Sequence, residues 1–118
     1  QTGAHFADIG ITGNDNTVTA HQRDNGDKIL FTNITGNNST LTVNQKDTGE
    51  HFLDVTLGSN QTLSATQQGS GNHSATVNMG GYSSGLTLDQ NSSIDQNYYL
   101  YQNCTNANGC GTTTVTQN

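Results

Sequence analysis

Residues 13–22 read GNDNTVTAHQ and residues 36–45 read GNNSTLTVNQ, and these two stretches decide the fold. Each begins with glycine and asparagine, continues with threonine alternating with apolar residues, and ends with glutamine. Related stretches recur along the chain at spacings of 23, 22, 23 and 27 residues, and they end at Gln22, Gln45, Gln67, Gln90 and Gln117. A fixed period of this length indicates stacked structural repeats. The chain therefore divides into five rungs, at about 1–23, 24–46, 47–68, 69–91 and 92–118.

Apolar and polar residues alternate within each rung with a period of two, which predicts β-strands with one buried and one exposed face. In the second strand of each rung the inward positions are mostly aliphatic, whereas the outward positions are mostly threonine. Threonine suits an exposed strand surface because its branched side chain packs well on the pleat. The predicted core consists of Ile9, Leu30, Leu53, Val77, Val18, Leu41, Leu63, Leu86, Val43, Leu88 and Val115.

A glycine precedes each of the first four glutamines by nine residues, and these glycines mark the predicted turn: Gly13, Gly36, Gly58 and Gly81. Glycine and the asparagine or aspartate beside it tolerate positive φ, which tight turns need. Proline is absent, as expected where nearly every backbone N–H bonds to the next rung. The sequence therefore predicts an all-β fold, a β-solenoid of five stacked strand-turn-strand rungs with two facing, cross-β-like sheets.

Composition narrows the classes of function. Only 21 of the 118 residues are Leu, Ile, Val or Phe, so the repeats must share a thin core and one rung should not fold alone. The three basic residues, Arg23, Lys28 and Lys46, cannot form a patch for nucleic-acid phosphates. No apolar run approaches the roughly 20 residues of a membrane span, so membrane insertion is not expected.

The five glutamines have the inward parity, where an isolated amide would be costly to bury. In a stack of similar rungs, each amide can donate to one neighbour and accept from the other, as in cross-β ladders. We therefore predict a stacking ladder of these glutamines. The alternative places them at a partly hydrated corner as ordinary strand ends.

Other polar residues give weaker signals. Cys104 and Cys110 predict a local disulfide in the longer fifth rung, with free thiols or a metal pair as alternatives. His5, His51 and His73 share one repeat position, where ordinary strand-edge residues are favoured over a metal-binding or pH-responsive column. A short-looped solenoid offers no cleft for catalysis, so neither an enzyme nor a cofactor is expected.

Aromatic residues recur on the outward face of the first strands. Phe6, Ile29 and Phe52 form a column, with Phe31, Tyr99 and Tyr101 nearby. An apolar stripe of this size indicates a contact surface. A lateral contact between filaments, an adhesive face and a face covered by the chain termini remain open.

The two quoted stretches and their period resemble the curlin repeats of curli fibre subunits, a family with glycine and asparagine in the turn and glutamine closing each strand. The resemblance covers essentially the whole chain. It implies a secreted, extracellular fibre at the cell surface, a functional amyloid for biofilm matrix and surface adhesion. It also implies a nucleator and outer-membrane secretion machinery as partners.

The chain starts with its first rung and stops one residue after Gln117, from which we expect uncapped end rungs. Exposed strand edges are templates for another copy, and a non-closing contact makes a filament. The main prediction is therefore an end-to-end homopolymer, unless the sequence is a trimmed piece.

Two other functions remain open at this stage. One is an ice-binding solenoid that uses its outward threonine rows, and the other is a fragment of a larger adhesin or phage fibre.

Overall fold

The computed structural model describes residues 2–118, which contain ten β-strands and no helix. In chain order the strands are β1 (His5–Thr12), β2 (Thr17–Gln22), β3 (Lys28–Thr35), β4 (Thr40–Gln45), β5 (His51–Leu57), β6 (Gln61–Gln68), β7 (His73–Gly81), β8 (Ser84–Asn91), β9 (Gln96–Cys104) and β10 (Thr112–Gln117).

The strands form two five-stranded sheets, and every neighbouring pair is parallel. Odd-numbered strands make sheet A in the order β1-β3-β5-β7-β9. Even-numbered strands make sheet B in the order β2-β4-β6-β8-β10. Each rung thus contributes one strand to each sheet, and the predicted five-rung β-solenoid is confirmed. We call the β1/β2 end the lower end and the β9/β10 end the upper end.

The rungs are stacked in register, so that equivalent residues of successive repeats form columns. In sheet B, Val18 pairs with Leu41, Leu41 with Leu63, and Leu63 with Leu86. In sheet A, Leu30 pairs with Leu53. Such columns follow from the sequence because a one-residue slip would turn every apolar side chain to the solvent.

The core lies between the two sheets and is fully buried in the middle rungs. Fourteen apolar residues there are at most 1% exposed: Leu30, Ile34, Leu41, Val43, Leu53, Val55, Leu57, Leu63, Ala65, Ala75, Val77, Met79, Leu86 and Leu88. Burying a large aliphatic side chain contributes about 1.5–3 kcal/mol, so four or five per rung stabilise the stack only when neighbouring rungs cover them.

The predicted core is wrong at Ile9, which is 40% exposed although it points between the sheets. Ile11 beside it is 47% exposed. The reason is position: β1 is an edge strand, so its inward side chains are covered by β3 from one side only. Val18 and Val115 are likewise only partly buried, because they lie in the first and last rungs.

The four predicted turn glycines lie where the strands of sheet A end: Gly13, Gly36 and Gly58 directly follow β1, β3 and β5, and Gly81 is the last residue of β7. Gly13 has a φ of 119°, and a Cβ there would lie 1.9 Å from the carbonyl oxygen of Gly36, so only glycine fits. Gly81 also has a positive φ, whereas Gly58 does not. Leu57 pairs with Met79, which aligns Gly58 with Gly80 and not with Gly81. Asn60 has a positive φ, as Asp15 and Asn38 have at the same place in the first two turns, and these residue types tolerate it.

Candidate functional site

The five inward glutamines form a continuous column of hydrogen-bonded amides, the glutamine ladder. The Nε2 of each glutamine donates to the Oε1 of the next one up the stack. The four donor–acceptor distances, from Gln22 through Gln45, Gln67 and Gln90 to Gln117, are 3.0, 2.8, 2.9 and 2.8 Å. In-register pairing within sheet B brings these side chains together.

The ladder also ties sheet B to sheet A. The Nε2 of Gln67 contacts the backbone oxygens of Phe52 at 2.9 Å and His73 at 3.3 Å, which belong to two successive strands of sheet A. Gln45 makes the same contacts one rung lower. The three central glutamines have no exposed surface. Only the two terminal glutamines, Gln22 and Gln117, are partly exposed, as the alternative of a partly hydrated corner requires.

The two ends of the glutamine ladder are chemically different. At the lower end, no group within residues 2–118 donates to the Oε1 of Gln22, although its Nε2 donates to three acceptors. At the upper end, the Oε1 of Gln117 is occupied by Gln90, and its Nε2 donates only to the backbone oxygen of Asn97, at 3.2 Å. The lower end therefore offers an acceptor and the upper end offers a donor.

The two end rungs also leave the interior of the solenoid open. At the lower end Ile9 and Ile11 are exposed between the sheets. At the upper end Tyr98 and Leu100 point inward and are only partly buried. Strands β1, β2, β9 and β10 are the four sheet edges, and an edge presents unpaired backbone N–H and C=O groups. Each end is thus an apolar strip between two hydrogen-bonding edges.

Lys28 is fully buried at the corner where β3 begins. Its Nζ donates to four backbone carbonyl oxygens from two successive loops: Asn25 at 2.6 Å, Gly26 at 3.0 Å, Asp47 at 3.0 Å and Gly49 at 2.7 Å. Burial lowers the pKa of this ammonium, while the nearby carboxylates of Asp24 and Asp27 act in the opposite direction. The side chain therefore links the second and third rungs as an internal cation.

Two histidines continue the column of Lys28 above it. His51 and His73 are each 1% exposed, and their rings stack in parallel with centroids 5.0 Å apart. Their Nε2 atoms lie 2.8 and 2.7 Å from the carbonyl oxygens of Lys46 and Gln68, an arrangement that places a proton on each Nε2. The Nδ1 atoms are buried without a partner. Burial is the main reason why the pKa of His51 falls to about 4, and the neighbouring Lys28 adds to the effect.

The sequence favours ordinary strand-edge residues at the histidine position, and His51 and His73 do begin β5 and β7, as Lys28 begins β3. The strand-edge interpretation did not include their burial. The signal was present in the sequence, because Lys28 and Leu30 are two residues apart and so share a face. A long basic side chain is rarely buried without a partner, so the residue type of Lys28 argues against the burial that its parity indicates. The backbone carbonyls that satisfy Lys28 belong to loops, and the alternation of residue types does not place loops.

Cys104 and Cys110 form the predicted disulfide, which closes a loop in the fifth rung. The loop is held against the rung below by hydrogen bonds from Cys110 N–H to the Ser83 carbonyl and from Tyr82 N–H to the Cys104 carbonyl. No free cysteine remains. The disulfide therefore fixes the longer turn of the uppermost rung.

The two outer faces differ in character. On sheet A the ring of Phe31 packs between those of Phe6 and Phe52, with centroids 5.6 and 6.0 Å apart and planes tilted by 55°. On sheet B two columns of mostly threonine run along the stack and point outward. Within residues 2–118 no group of three or more histidine, cysteine, aspartate or glutamate side chains could hold a metal ion. The same part of the chain contains no helix long and apolar enough to cross a membrane.

Replacing Gln67 by alanine should destabilise the fold strongly. The change removes one link of the glutamine ladder and leaves the buried Nε2 of Gln45 and Oε1 of Gln90 without this partner. Each unsatisfied buried polar group costs about 1–3 kcal/mol, so we expect the free energy of unfolding to fall by about 2–5 kcal/mol. Gln68→Ala, next in sequence on the outer face, should cost less than about 0.5 kcal/mol. Urea unfolding of both variants measures the difference, and equal losses would contradict the ladder.

Stability should decrease as the pH falls below neutrality. The unfolded chain binds a proton at His51 with a pKa of about 6.5 and the folded chain only at about 4, so the unfolded state takes up more protons between these values. The free energy of unfolding should therefore be lower at pH 4 than above pH 6.5, by about 3 kcal/mol. Urea unfolding between pH 4 and 7.5 should therefore show a flatter pH profile for His51→Gln. His21→Gln, on the outer face, should keep the wild-type profile.

Comparison with protein-family models, curated proteins and solved structures finds no match to this chain.

Proposed function

We propose that this chain is a structural subunit of a self-assembling, curli-like extracellular fibre, a functional amyloid for biofilm matrix and surface adhesion. The subunits stack head to tail, with the upper end of one copy on the lower end of the next. The observation that carries the proposal is the in-register stack of parallel rungs with its continuous glutamine ladder, because another copy can pair with the first or last described rung in the way that successive rungs pair within the chain. A contact of this kind repeats without closing and therefore produces a filament.

The inward side chains of the two ends are complementary in size. Tyr98 packs over Ala75 in the same column, and a copy stacked above would place its Ala7 over the other side of the ring. Large and small side chains alternate in this way in well-packed interiors. Leu100 would meet Ile9, so that both residues gain the cover that they lack in a single chain.

Other inward pairs at this junction are less well matched. Gln102 would lie over Ile11 and Thr113 over Val18, each a polar residue on an apolar one. The junction should therefore be less stable than the contact between two internal rungs. A filament of this protein would consequently separate at junctions before its subunits unfold.

The polar groups at the two ends are complementary in direction. Stacking by translation along the axis places the Nε2 of Gln117 beneath the acceptor-only end of Gln22 in the next copy. The glutamine ladder would then continue through the junction with the same polarity. The same translation sets β9 beside β1 and β10 beside β2, so both sheets remain parallel throughout. Stacking of two lower ends would instead bring two amide acceptors together, and stacking of two upper ends would bring two donors together.

Secretion, a nucleator and an outer-membrane secretion machinery enter the proposal through the resemblance of the repeats to curlin repeats. The disulfide supports an oxidising location, because such bonds persist mainly outside the reducing cytosol.

Lysine at both exposed positions of the lower end should abolish filaments while leaving the subunit folded. In Ile9→Lys/Ile11→Lys, a single chain keeps both ammonium groups hydrated, whereas stacking would bury them without partners at a cost of several kcal/mol. We expect no filaments by electron microscopy and a near wild-type urea midpoint. Phe6→Lys, on the outer face of the same strand, should still form filaments.

The same variant tests the polarity of growth. Its upper end is intact, so it should bind the lower end of a wild-type filament and stop elongation there. A substoichiometric amount should therefore shorten wild-type filaments. Filaments made by the double variant alone, or wild-type growth that ignores its presence, would contradict head-to-tail stacking.

A second candidate function is ice binding by the outer face of sheet B. Its support is a pair of exposed columns in register, Thr17, Thr40 and Thr62 in one and Thr19, Thr42, Ser64, Thr87 and Thr114 in the other. Gly85 interrupts the first column below Thr112, which makes the array irregular. Thermal hysteresis of the monomer, lost in Thr42→Tyr, is the expected result for an ice-binding protein, and freezing without hysteresis would exclude it.

A further inference from the structure

The outer face of sheet A combines an aromatic strip with most of the protein's acidic charge. The strip consists of Phe6, Phe31 and Phe52 with Ile29, and five carboxylates flank it: Asp8, Asp27, Glu50, Asp54 and Asp95. We call these nine residues the acidic aromatic face. Phe6 is 51% and Phe31 is 39% exposed, although such rings gain by burial.

Two open grooves run beside the aromatic strip. One, of about 340 Å³, is lined by Asp27, Glu50 and Asp95 on one side and by Ile29 and Phe52 on the other. The second, of about 280 Å³, lies on the opposite side of the strip, where Asp8 and Asp54 border the ring of Phe31. Each groove therefore offers an aromatic wall and carboxylates together.

No lysine or arginine side chain is exposed on this face within residues 2–118, although the buried histidines His51 and His73 also line the first groove. Lys28 is buried among backbone carbonyls, and Arg23 and Lys46 follow directly after the strands β2 and β4 of sheet B. Asp27 and Asp95 each accept a backbone N–H with one oxygen, at 2.8 Å, which leaves the other oxygen available. Five of the nine acidic residues of the chain are thus gathered here. The buried ammonium of Lys28 attracts only two of them, Asp27 and Glu50, within the part of the chain that the structure describes.

This charge argues against one possible occupant, the same face of a second copy. Two such faces in contact would oppose five carboxylates to five, and like charges placed against each other are unfavourable. Nucleic acids and anionic lipid surfaces are repelled for the same reason. The complementary partner is cationic and carries aromatic or apolar groups, because a guanidinium or ammonium ion over an exposed ring gains a cation–π contact besides its ion pair.

We infer that the acidic aromatic face binds protein segments in which basic residues are interspersed with aromatic ones. Basic side chains of the segment enter the two grooves and pair with the carboxylates, while its aromatic residues pack on Phe6 and Phe31. Asp8 and Asp54 are two rungs apart, about 9.6 Å, and Phe31 lies between them in the same column, so that a carboxylate stands on either side of the ring. The face exists in a single chain, so this inference does not depend on the proposed fibre.

Binding of a synthetic peptide that alternates arginine and phenylalanine tests the inference, by fluorescence anisotropy with the full chain in low salt. Asp8→Asn/Asp54→Asn should weaken binding about tenfold, since two ion pairs are lost. Phe31→Thr, which introduces the residue type of Thr76 in the same column, should weaken peptide binding severalfold. Asp15→Asn/Asp89→Asn is the matched control: it removes the same charge away from the face and should change the affinity less than twofold.

A peptide that alternates arginine and glycine should bind more weakly than the arginine–phenylalanine peptide. Equal affinity of the two peptides, or equal weakening by the control variant, would show that only net charge acts and would overturn the inference. Failure of the wild-type chain to bind at low salt would overturn it as well.

Discussion

The structure depends on the in-register stacking of parallel strands, which places equivalent residues of successive rungs over one another along the stacking axis. Backbone hydrogen bonds between successive rungs hold the register, and the same register brings the glutamine side chains close enough to bond to one another. With so few aliphatic residues, no rung can bury its own core. The apolar side chains of one rung are covered by the rungs above and below it. In the first and last described rungs, these side chains are covered from one side only.

The sequence was sufficient to predict the strands, the sheets and the inward columns, since the repeat and the period of two act together at nearly every position. It was not sufficient where a residue's environment depends on its place in the stack. Ile9 has the inward parity of a core residue, yet an edge strand leaves it 40% exposed. Counted back from the glutamines, Gly58 corresponds to Gly81. The third turn is one residue shorter than the fourth, so that Gly58 lies beside Gly80 instead.

Buried polar residues were the other limit. Lys28 is stabilised by four loop carbonyls, and no periodicity places loop carbonyls. A second polar column at the turn was also missed: Asn16, Ser39, Gln61 and Ser84 bond to one another and to turn carbonyls. These four residues differ in type, so the repeat conceals them, although they share the inward parity of Val18 and Leu41.

The glutamine ladder has an electrical consequence. Successive peptide groups of a strand point alternately up and down the stack, so their dipoles largely cancel along the axis. The side-chain amides of the ladder are joined by four hydrogen bonds that all point the same way, so their dipoles add. Hydrogen-bonded chains of this kind also polarise one another. The solenoid is therefore a polar rod, with partial negative charge at the Gln22 end and partial positive charge at the Gln117 end. Lengthening the rod would increase its moment in proportion, so it should orient in an electric field.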